Sequence, residues 1–116
     1  MPPIDPVRGL TELLDRLNGS GVPYMLVGAA AGYWYGLDRT TNDFDFVADF
    51  VVDKIPAFVR AFTPGFYCDD EMIDDAVRTK FMFNVISHST GFKADIMILK
   101  DDAFQHSAFS VRAAPA

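Results

Sequence analysis

The sequence predicts a single domain of mixed α and β structure. Its 116 residues fit one domain. The chain is half hydrophobic and 14% aromatic, which supplies enough apolar side chains for a compact core. Short continuous apolar runs, typical of strands, alternate with longer segments whose apolar residues recur at helical spacing. Together these observations predict one α/β domain over residues 1–116.

Charge and cysteine content exclude several classes of protein. The formal net charge of −6 disfavours a broad electrostatic surface for nucleic acid, although it allows a local basic patch. The single cysteine, Cys68, cannot form an intrachain disulfide. The N-terminus lacks the basic and apolar regions of a signal peptide, and no apolar run reaches membrane-spanning length. We therefore expect a soluble, cytoplasmic protein.

The N-terminal part of the chain predicts a helix, a strand and a second helix. Asp5 and Pro6 are typical of an N-cap and a first helical position, and the glycines in 19–21 end the helical pattern. Tyr24–Val27 is a continuous apolar run, which favours a strand covered on both faces. Residues 28–36 begin with small side chains and predict a helix that ends at a glycine.

The remainder of the chain predicts further strands and helices in alternation. The predicted strands are Asp43–Ala48, 66–68, 81–86 and 92–99, and the predicted helices are 54–62, 69–78 and 100–104. The helix at 69–78 is expected to be one or two turns long. The strands 81–86 and 92–99 flank a polar turn, which predicts an antiparallel hairpin.

Two aspartates stand inside the strand predicted at Asp43–Ala48. Because side chains alternate along a strand, Asp43 and Asp45 share one face, with their Cα atoms about 6–7 Å apart. Two like charges this close are costly in an apolar strand unless a cation meets them. Their carboxylate oxygens suit Mg²⁺ or Mn²⁺. The sequence therefore predicts a divalent metal site at this strand.

A third carboxylate, Asp95, interrupts the apolar strand predicted at 92–99. Metal-assisted phosphoryl or nucleotidyl transfer requires such a set. In this interpretation Asp43, Asp45 and Asp95 are the metal ligands, and Asp95 also helps to deprotonate an attacking hydroxyl as general base.

Four residues upstream of the strand are candidates for binding the phosphates. Gly28 and Ala29 lie where a strand runs into a predicted helix, so their backbone N–H groups favour an anion. Arg39 would add a charge-assisted contact, and the Thr41 hydroxyl would position a phosphate or the first carboxylate.

Plainer interpretations exist for several of these features. Small residues at 28–31 also permit close packing of a helix on a sheet. The acidic run 69–71 favours a solvated helix start over a metal site. His88 lies among serines in a turn, without the orienting carboxylate and nucleophile that catalysis would require. Asp43 beside Asn42 is also typical of a turn cap.

The order of these motifs resembles the nucleotidyltransferase superfamily with the DNA polymerase beta-like fold. A strand ends at Gly28, Arg-x-Thr-x-Asp-x-Asp follows at 39–45, and Lys-Ala-Asp-Ile-Met-Ile occupies 93–98. The similarity covers about residues 22–104 and is greatest to small AbiEii-like bacterial members, many of which are toxins of toxin–antitoxin pairs. It implies a mixed β-sheet flanked by helices, with an N-terminal helix at 1–21, a catalytic core at 22–104 and a tail at 105–116.

The resemblance also implies an activity and a set of site residues. An NTP and Mg²⁺ are the implied ligands, and a nucleoside monophosphate is transferred to a hydroxyl. Asp43 and Asp45 match the metal pair, Asp95 the third carboxylate, and Gly28 the first glycine of a Gly-Gly or Gly-Ser element. Ala29 departs from that element, which removes a serine hydroxyl from the phosphate site but keeps the backbone N–H.

Three functional hypotheses follow. The leading one is an Mg²⁺-dependent nucleotidyltransferase that modifies a tRNA end, a protein or a small molecule such as an antibiotic. For a tRNA end, Arg39, Lys80 and Lys93 are the candidate contacts. The second is a catalytically weak or inactive module that acts with a partner, either an antitoxin or a second copy of the chain. The third is a metal-dependent glycosyltransferase, for which the chain is short.

Overall fold

The computed structural model of the chain describes residues 5–27 and 43–100, with Asp43 described by its backbone alone. Three α-helices and five β-strands occupy these ranges. The helices are α1 (Pro6–Ser20), α2 (Ile55–Phe62) and α3 (Asp70–Thr79), and a 3-10 turn covers Val52–Lys54. The strands are β1 (Tyr24–Val27), β2 (Asp43–Ala48), β3 (Phe66–Tyr67), β4 (Met82–Ser87) and β5 (Lys93–Ile98).

Helix α1 begins at its predicted cap and ends before one of the predicted glycines. The Asp5 carboxylate accepts a hydrogen bond from the Val7 backbone N–H at 2.9 Å, and Pro6 follows the cap. At the other end Gly21 adopts a left-handed conformation with φ 74°, which a residue without Cβ takes at no steric cost. The helix continues through residues 19 and 20, two residues further than expected.

The five strands form one mixed sheet in the order β1-β2-β5-β4-β3. β2 and β5 run parallel at its centre, while β1–β2, β5–β4 and β4–β3 are antiparallel. β4 and β5 form the predicted hairpin. This mixed sheet with helices confirms the predicted fold class.

One face of the sheet forms the hydrophobic core. Along β2, β4 and β5, buried residues alternate with partly exposed ones, as period-two alternation requires. All three described helices contribute buried residues to the same apolar cluster as the sheet. Within it, Phe58 and Phe62 of α2 stack with ring centroids 4.4 Å apart. The described helices therefore bury one face of the sheet.

Two expectations about individual elements were wrong. β1 is not covered on both faces, because it forms an edge of the sheet in this part of the structure and all four of its residues are partly exposed. Its continuous apolar sequence therefore did not indicate a central strand. Helix α3 has ten residues rather than one or two turns, because Asp69 caps it well: its carboxylate accepts from the N–H groups of Glu71 and Met72.

Several predicted segments lie outside the described residues. These are the helix predicted at 28–36, most of the helix predicted at 100–104 and the tail at 105–116. No described helix is both long enough and apolar enough to cross a membrane.

Candidate active site

The register of the sheet places two of the three candidate carboxylates side by side. Asp45 of β2 pairs with Asp95 of β5, and on the outer sides of these strands Asp45 faces Val27 and Asp95 faces Asn84. Residues opposite each other in neighbouring strands present their side chains on the same face. The row Val27–Asp45–Asp95–Asn84 therefore crosses four strands on one face of the sheet.

This face is opposite the hydrophobic core. Neighbours of Asp45 along β2, such as Phe44 and Phe46, are buried, whereas Asp45 is partly exposed. The Asp95 side chain is 20% exposed, so it is partly withdrawn from water yet reachable from the surface. Two carboxylates at adjacent strand spacing, about 4.8 Å, repel each other more strongly than they would in open solvent. The row is therefore an electronegative site that favours a cation.

Lys93 supplies a positive charge at this row. It lies two positions before Asp95 on β5, and its Nζ is 3.6 Å from Asp95 Oδ1. That oxygen is itself buried. The distance is that of an ion pair and exceeds ordinary hydrogen-bond length. In the backbone register Lys93 also pairs with Asp43, so it lies next to the first aspartate of the motif.

An apolar row borders the carboxylates. Met25, Val47, Met97 and Met82 are register partners across β1, β2, β5 and β4, two positions along from the acidic row. All four are partly exposed. Methionine is flexible and polarisable, and therefore adapts to flat or irregular groups.

The predicted site residues fall into two groups. Asp45 and Asp95 are brought together, and Asp43 begins β2 two positions from Asp45. Gly28, Ala29, Arg39 and Thr41 lie outside the described residues, so their proposed contacts to phosphate stay predictions.

The described donors fit a hard divalent cation. Asp45 and Asp95 offer carboxylate oxygens, the ligand type that Mg²⁺ and Mn²⁺ prefer, and they are register partners on neighbouring strands. Among the residues whose side chains are described, no cluster of three or more His, Cys, Asp or Glu residues could hold a metal. The proposed third ligand, Asp43, is described by its backbone alone. The donor chemistry therefore fits Mg²⁺ or Mn²⁺.

Sequence reasoning missed two features of the site. Asn84 was not singled out, although it is a polar residue in the middle of an apolar strand, the same signal that identified Asp95. Lys93 was assigned only to a tRNA acceptor, and its ion pair with Asp95 was not expected. The i, i+2 spacing on one strand was the available signal, because it places both side chains on one face.

Other candidate groups have structural roles. Asp69 is an N-cap, which confirms the helix start predicted for the acidic run. The hydroxyls of Ser87 and Ser89, which flank His88, both donate to the Glu12 carboxylate of α1. Burial raises the pKa of the Cys68 thiol to about 11, with smaller contributions from Asp69 and Asp70. A thiol of this kind is a poor nucleophile at neutral pH.

The arrangement of the strands and helices is similar to the nucleotidyltransferase fold. Two solved structures of CCA-adding enzymes share it. The complex with ATP matches at 18% identity and TM-score 0.50, over 93% of this chain and 24% of that one. The complex with CTP matches at 17% identity and TM-score 0.53, over 91% of this chain and 24% of that one.

These likenesses show a shared fold. The chain spans about a quarter of the length of the enzymes it matches. No family model matches the sequence, and a comparison with curated proteins found no match. The similarity to the AbiEii-like group stays a prediction.

Proposed function

We propose that this chain is an Mg²⁺-dependent nucleotidyltransferase that moves a nucleoside monophosphate from an NTP to a hydroxyl acceptor. The main support is the direct pairing of Asp45 and Asp95 on parallel strands within a nucleotidyltransferase-like fold. Structures that share the fold were solved with ATP and with CTP, which supports an NTP as the donor.

Each carboxylate has a distinct task in this proposal. Asp43 and Asp45, two positions apart on β2, would hold the divalent ion, and Asp95 would complete the site from β5. When bound, the ion neutralises the triphosphate and polarises the reacting phosphorus. Asp95 also accepts the proton of the acceptor hydroxyl, because its partly exposed side chain is reachable from the surface face.

The transfer is a substitution at phosphorus and needs no oxidant or reductant. The acceptor oxygen forms a bond to the α-phosphorus, the bond from that phosphorus to the bridging α,β-oxygen breaks, and pyrophosphate leaves. The proton from the hydroxyl passes to the Asp95 carboxylate and then to solvent. Gly28, Ala29, Arg39 and Thr41 are proposed to hold the phosphates, through backbone N–H groups, a guanidinium and a hydroxyl.

The apolar row gives the site a second surface. Met25, Val47, Met97 and Met82 border the carboxylates and suit contact with the flat face of a base or with an apolar part of the acceptor. A tRNA end, a protein hydroxyl and a small molecule remain candidate acceptors, and action as a toxin with an antitoxin partner is part of the proposal.

The test is transfer of label from each of four α-³²P-labelled NTPs to tRNA, protein or small molecules in a cell extract with Mg²⁺. We expect transfer by the wild type and a loss of at least about 100-fold for Asp45→Asn and Asp95→Asn. Even substitutions of residues that only support metal ligands cost about 10–100-fold. Asp15→Asn is the matched control, because Asp15 is an exposed carboxylate on α1.

Two results would contradict this proposal in different ways. Wild-type transfer no greater than that of Asp45→Asn would exclude catalysis by these carboxylates. NTP binding without transfer, measured by calorimetry, would favour a binding module that acts with a partner. Preferential binding of a nucleotide sugar would favour a glycosyltransferase.

A further inference from the structure

Lys93 occupies an unusual position for a cation near a metal site. A metal site must be electronegative, and each nearby ammonium reduces the attraction of the site for a divalent ion. Yet Lys93 lies on the same strand and face as Asp95, with Nζ 3.6 Å from the buried Oδ1. Lys93 and a metal ion would therefore compete for Asp95.

The ion pair of Lys93 is partly exposed, and a lysine in such a pair is able to exchange one anionic partner for another. Its side chain is 33% exposed, more than the 20% of Asp95, so part of the lysine side chain is in contact with solvent. At 3.6 Å the contact between Nζ and Oδ1 is an ion pair that is longer than a charge-assisted hydrogen bond. A lysine has a flexible four-carbon stem and a compact charge, which allows it to swing to a new partner.

The register defines what surrounds Lys93. Asp43 is its partner on β2 and Ile86 its partner on β4, and Ile86 in turn pairs with Tyr67 at the other edge of the described sheet. The charged partner of Lys93 is therefore on the β2 side, and its ammonium is attracted toward that strand. This is the side on which an NTP must place its phosphates if Asp43 and Asp45 hold the metal.

We propose that Lys93 is a built-in counter-cation that occupies the carboxylate site until a metal–nucleotide complex arrives, and then binds the phosphates. The inference rests on the proposed function. Without a metal, the ammonium offsets repulsion between Asp45 and Asp95. When the ion binds Asp95, Lys93 is released and contacts the anionic triphosphate. The lysine thus opposes binding of metal alone and favours binding of metal with nucleotide.

Substitution of Lys93 should separate these two effects. In Lys93→Met the site loses its competing cation, so Mn²⁺ alone should bind about 10-fold more tightly in low salt, which is about 1.4 kcal/mol. The same substitution should weaken the affinity for a non-hydrolysable NTP analogue in the presence of Mn²⁺ by about 10-fold. A role in packing alone would not move the two affinities in opposite directions.

The experiment measures Mn²⁺ binding by electron paramagnetic resonance, with and without the analogue. Lys93→Arg should restore wild-type behaviour, because it keeps the positive charge. Lys54→Met is the matched control, since it removes one positive charge at an exposed position outside the sheet. Circular dichroism melting would confirm that each variant is folded.

The outcomes separate the two proposals. If the wild type binds Mn²⁺ but Lys93→Met changes neither affinity, or lowers both, the role of Lys93 is overturned and the metal site stands. If Mn²⁺ binds neither the wild type nor Lys93→Met, the metal site is overturned, and this inference with it.

Discussion

Asp45 and Asp95 face each other directly across the only parallel strand pair in the described part of the sheet. Like charges opposite each other in a sheet destabilise it by about 0.2–1 kcal/mol. Because Lys93 offsets only part of this repulsion, we predict that Asp45→Asn stabilises the metal-free protein, raising Tm by about 2–5 °C in EDTA, while it lowers transfer by at least about 100-fold. The measurement is thermal melting followed by circular dichroism.

In the presence of Mn²⁺ the wild type should have a higher Tm than Asp45→Asn. Mn²⁺ binds only the folded wild-type site, so it should raise the Tm of the wild type and leave Asp45→Asn nearly unchanged. Asp15→Asn, at an exposed position of α1, should follow the wild type in both conditions. A lower Tm for Asp45→Asn in EDTA would show that this carboxylate contributes to folding rather than opposing it.

Helix α1 is packed closely against the residue that precedes β5. A Cβ added at Gly9 would overlap the ring of Phe92, which is buried and lies 5.6 Å from the ring of Phe44. We predict that Gly9→Ala destabilises the protein by up to about 2 kcal/mol in urea unfolding. The overpacking cost of about 1–3 kcal/mol opposes a helix-propensity gain of about 1 kcal/mol, and the short distances to the Phe92 ring favour the upper part of that range.

Gly19 provides the matched control for this substitution. It lies in the same helix, but a Cβ added there would contact nothing within 4 Å. Gly19→Ala should therefore stabilise the protein by about 0.5 kcal/mol through helix propensity alone. Equal stabilisation by both substitutions would be incompatible with the packing of α1 on Phe92.

Local features of the sequence were sufficient to predict most of the described elements. α1 was predicted from Asp5 and Pro6, and in the structure Asp5 caps the helix and Pro6 is its first residue. The hairpin of β4 and β5 followed from two apolar runs around a polar turn. Such elements are predictable because the determining contacts lie within a few residues of each other.

The pairing of strands that are distant in the sequence was harder to predict. Alternation placed Asp43 and Asp45 on one face, but only the parallel register of β2 with β5 reveals that Asp45 is opposite Asp95. A shift of one residue would have moved Asp95 to the buried face. The edge position of β1 was equally hidden, because a run of four apolar residues is compatible with either an edge or a central strand.

A buried hydroxyl joins α1 to the end of β4. Ser87 is 2% exposed, and its Oγ donates to Glu12 Oε1 at 2.6 Å and accepts from the Thr90 N–H at 3.2 Å. We predict that Ser87→Ala destabilises the protein by about 1.5–3 kcal/mol in urea unfolding. A hydrogen bond to a charged group is lost and the partly buried carboxylate loses a donor.

Ser89 is the matched control for this hydrogen bond. It is exposed and donates to the other oxygen of Glu12 at a longer distance, 3.3 Å. Ser89→Ala should cost less than about 0.5 kcal/mol. A double-mutant cycle of Ser87→Ala with Glu12→Gln should give a coupling of at least about 0.5 kcal/mol. Additive effects would show that the two side chains do not interact in solution.

The pKa of the Cys68 thiol depends on its burial and on the charges at the start of α3. Desolvation by burial, followed by the nearby charges of Asp69 and Asp70, raises the pKa of its thiol from 9.0 to about 11. A folded-state pKa above the unfolded value means that the neutral thiol is favoured by folding. This contribution to stability is complete below about pH 9 and is lost as the pH rises through about 11.

The rate of alkylation should report this shift, because the thiolate is the reactive form. At pH 8 the folded protein should react with iodoacetamide about 100-fold more slowly than in urea, and the folded rate should keep rising to about pH 11. Asp70→Asn removes a negative charge and should lower the pKa, which speeds alkylation at pH 8. A folded rate that levels off near pH 9 would show that neither burial nor the two carboxylates perturbs the thiol.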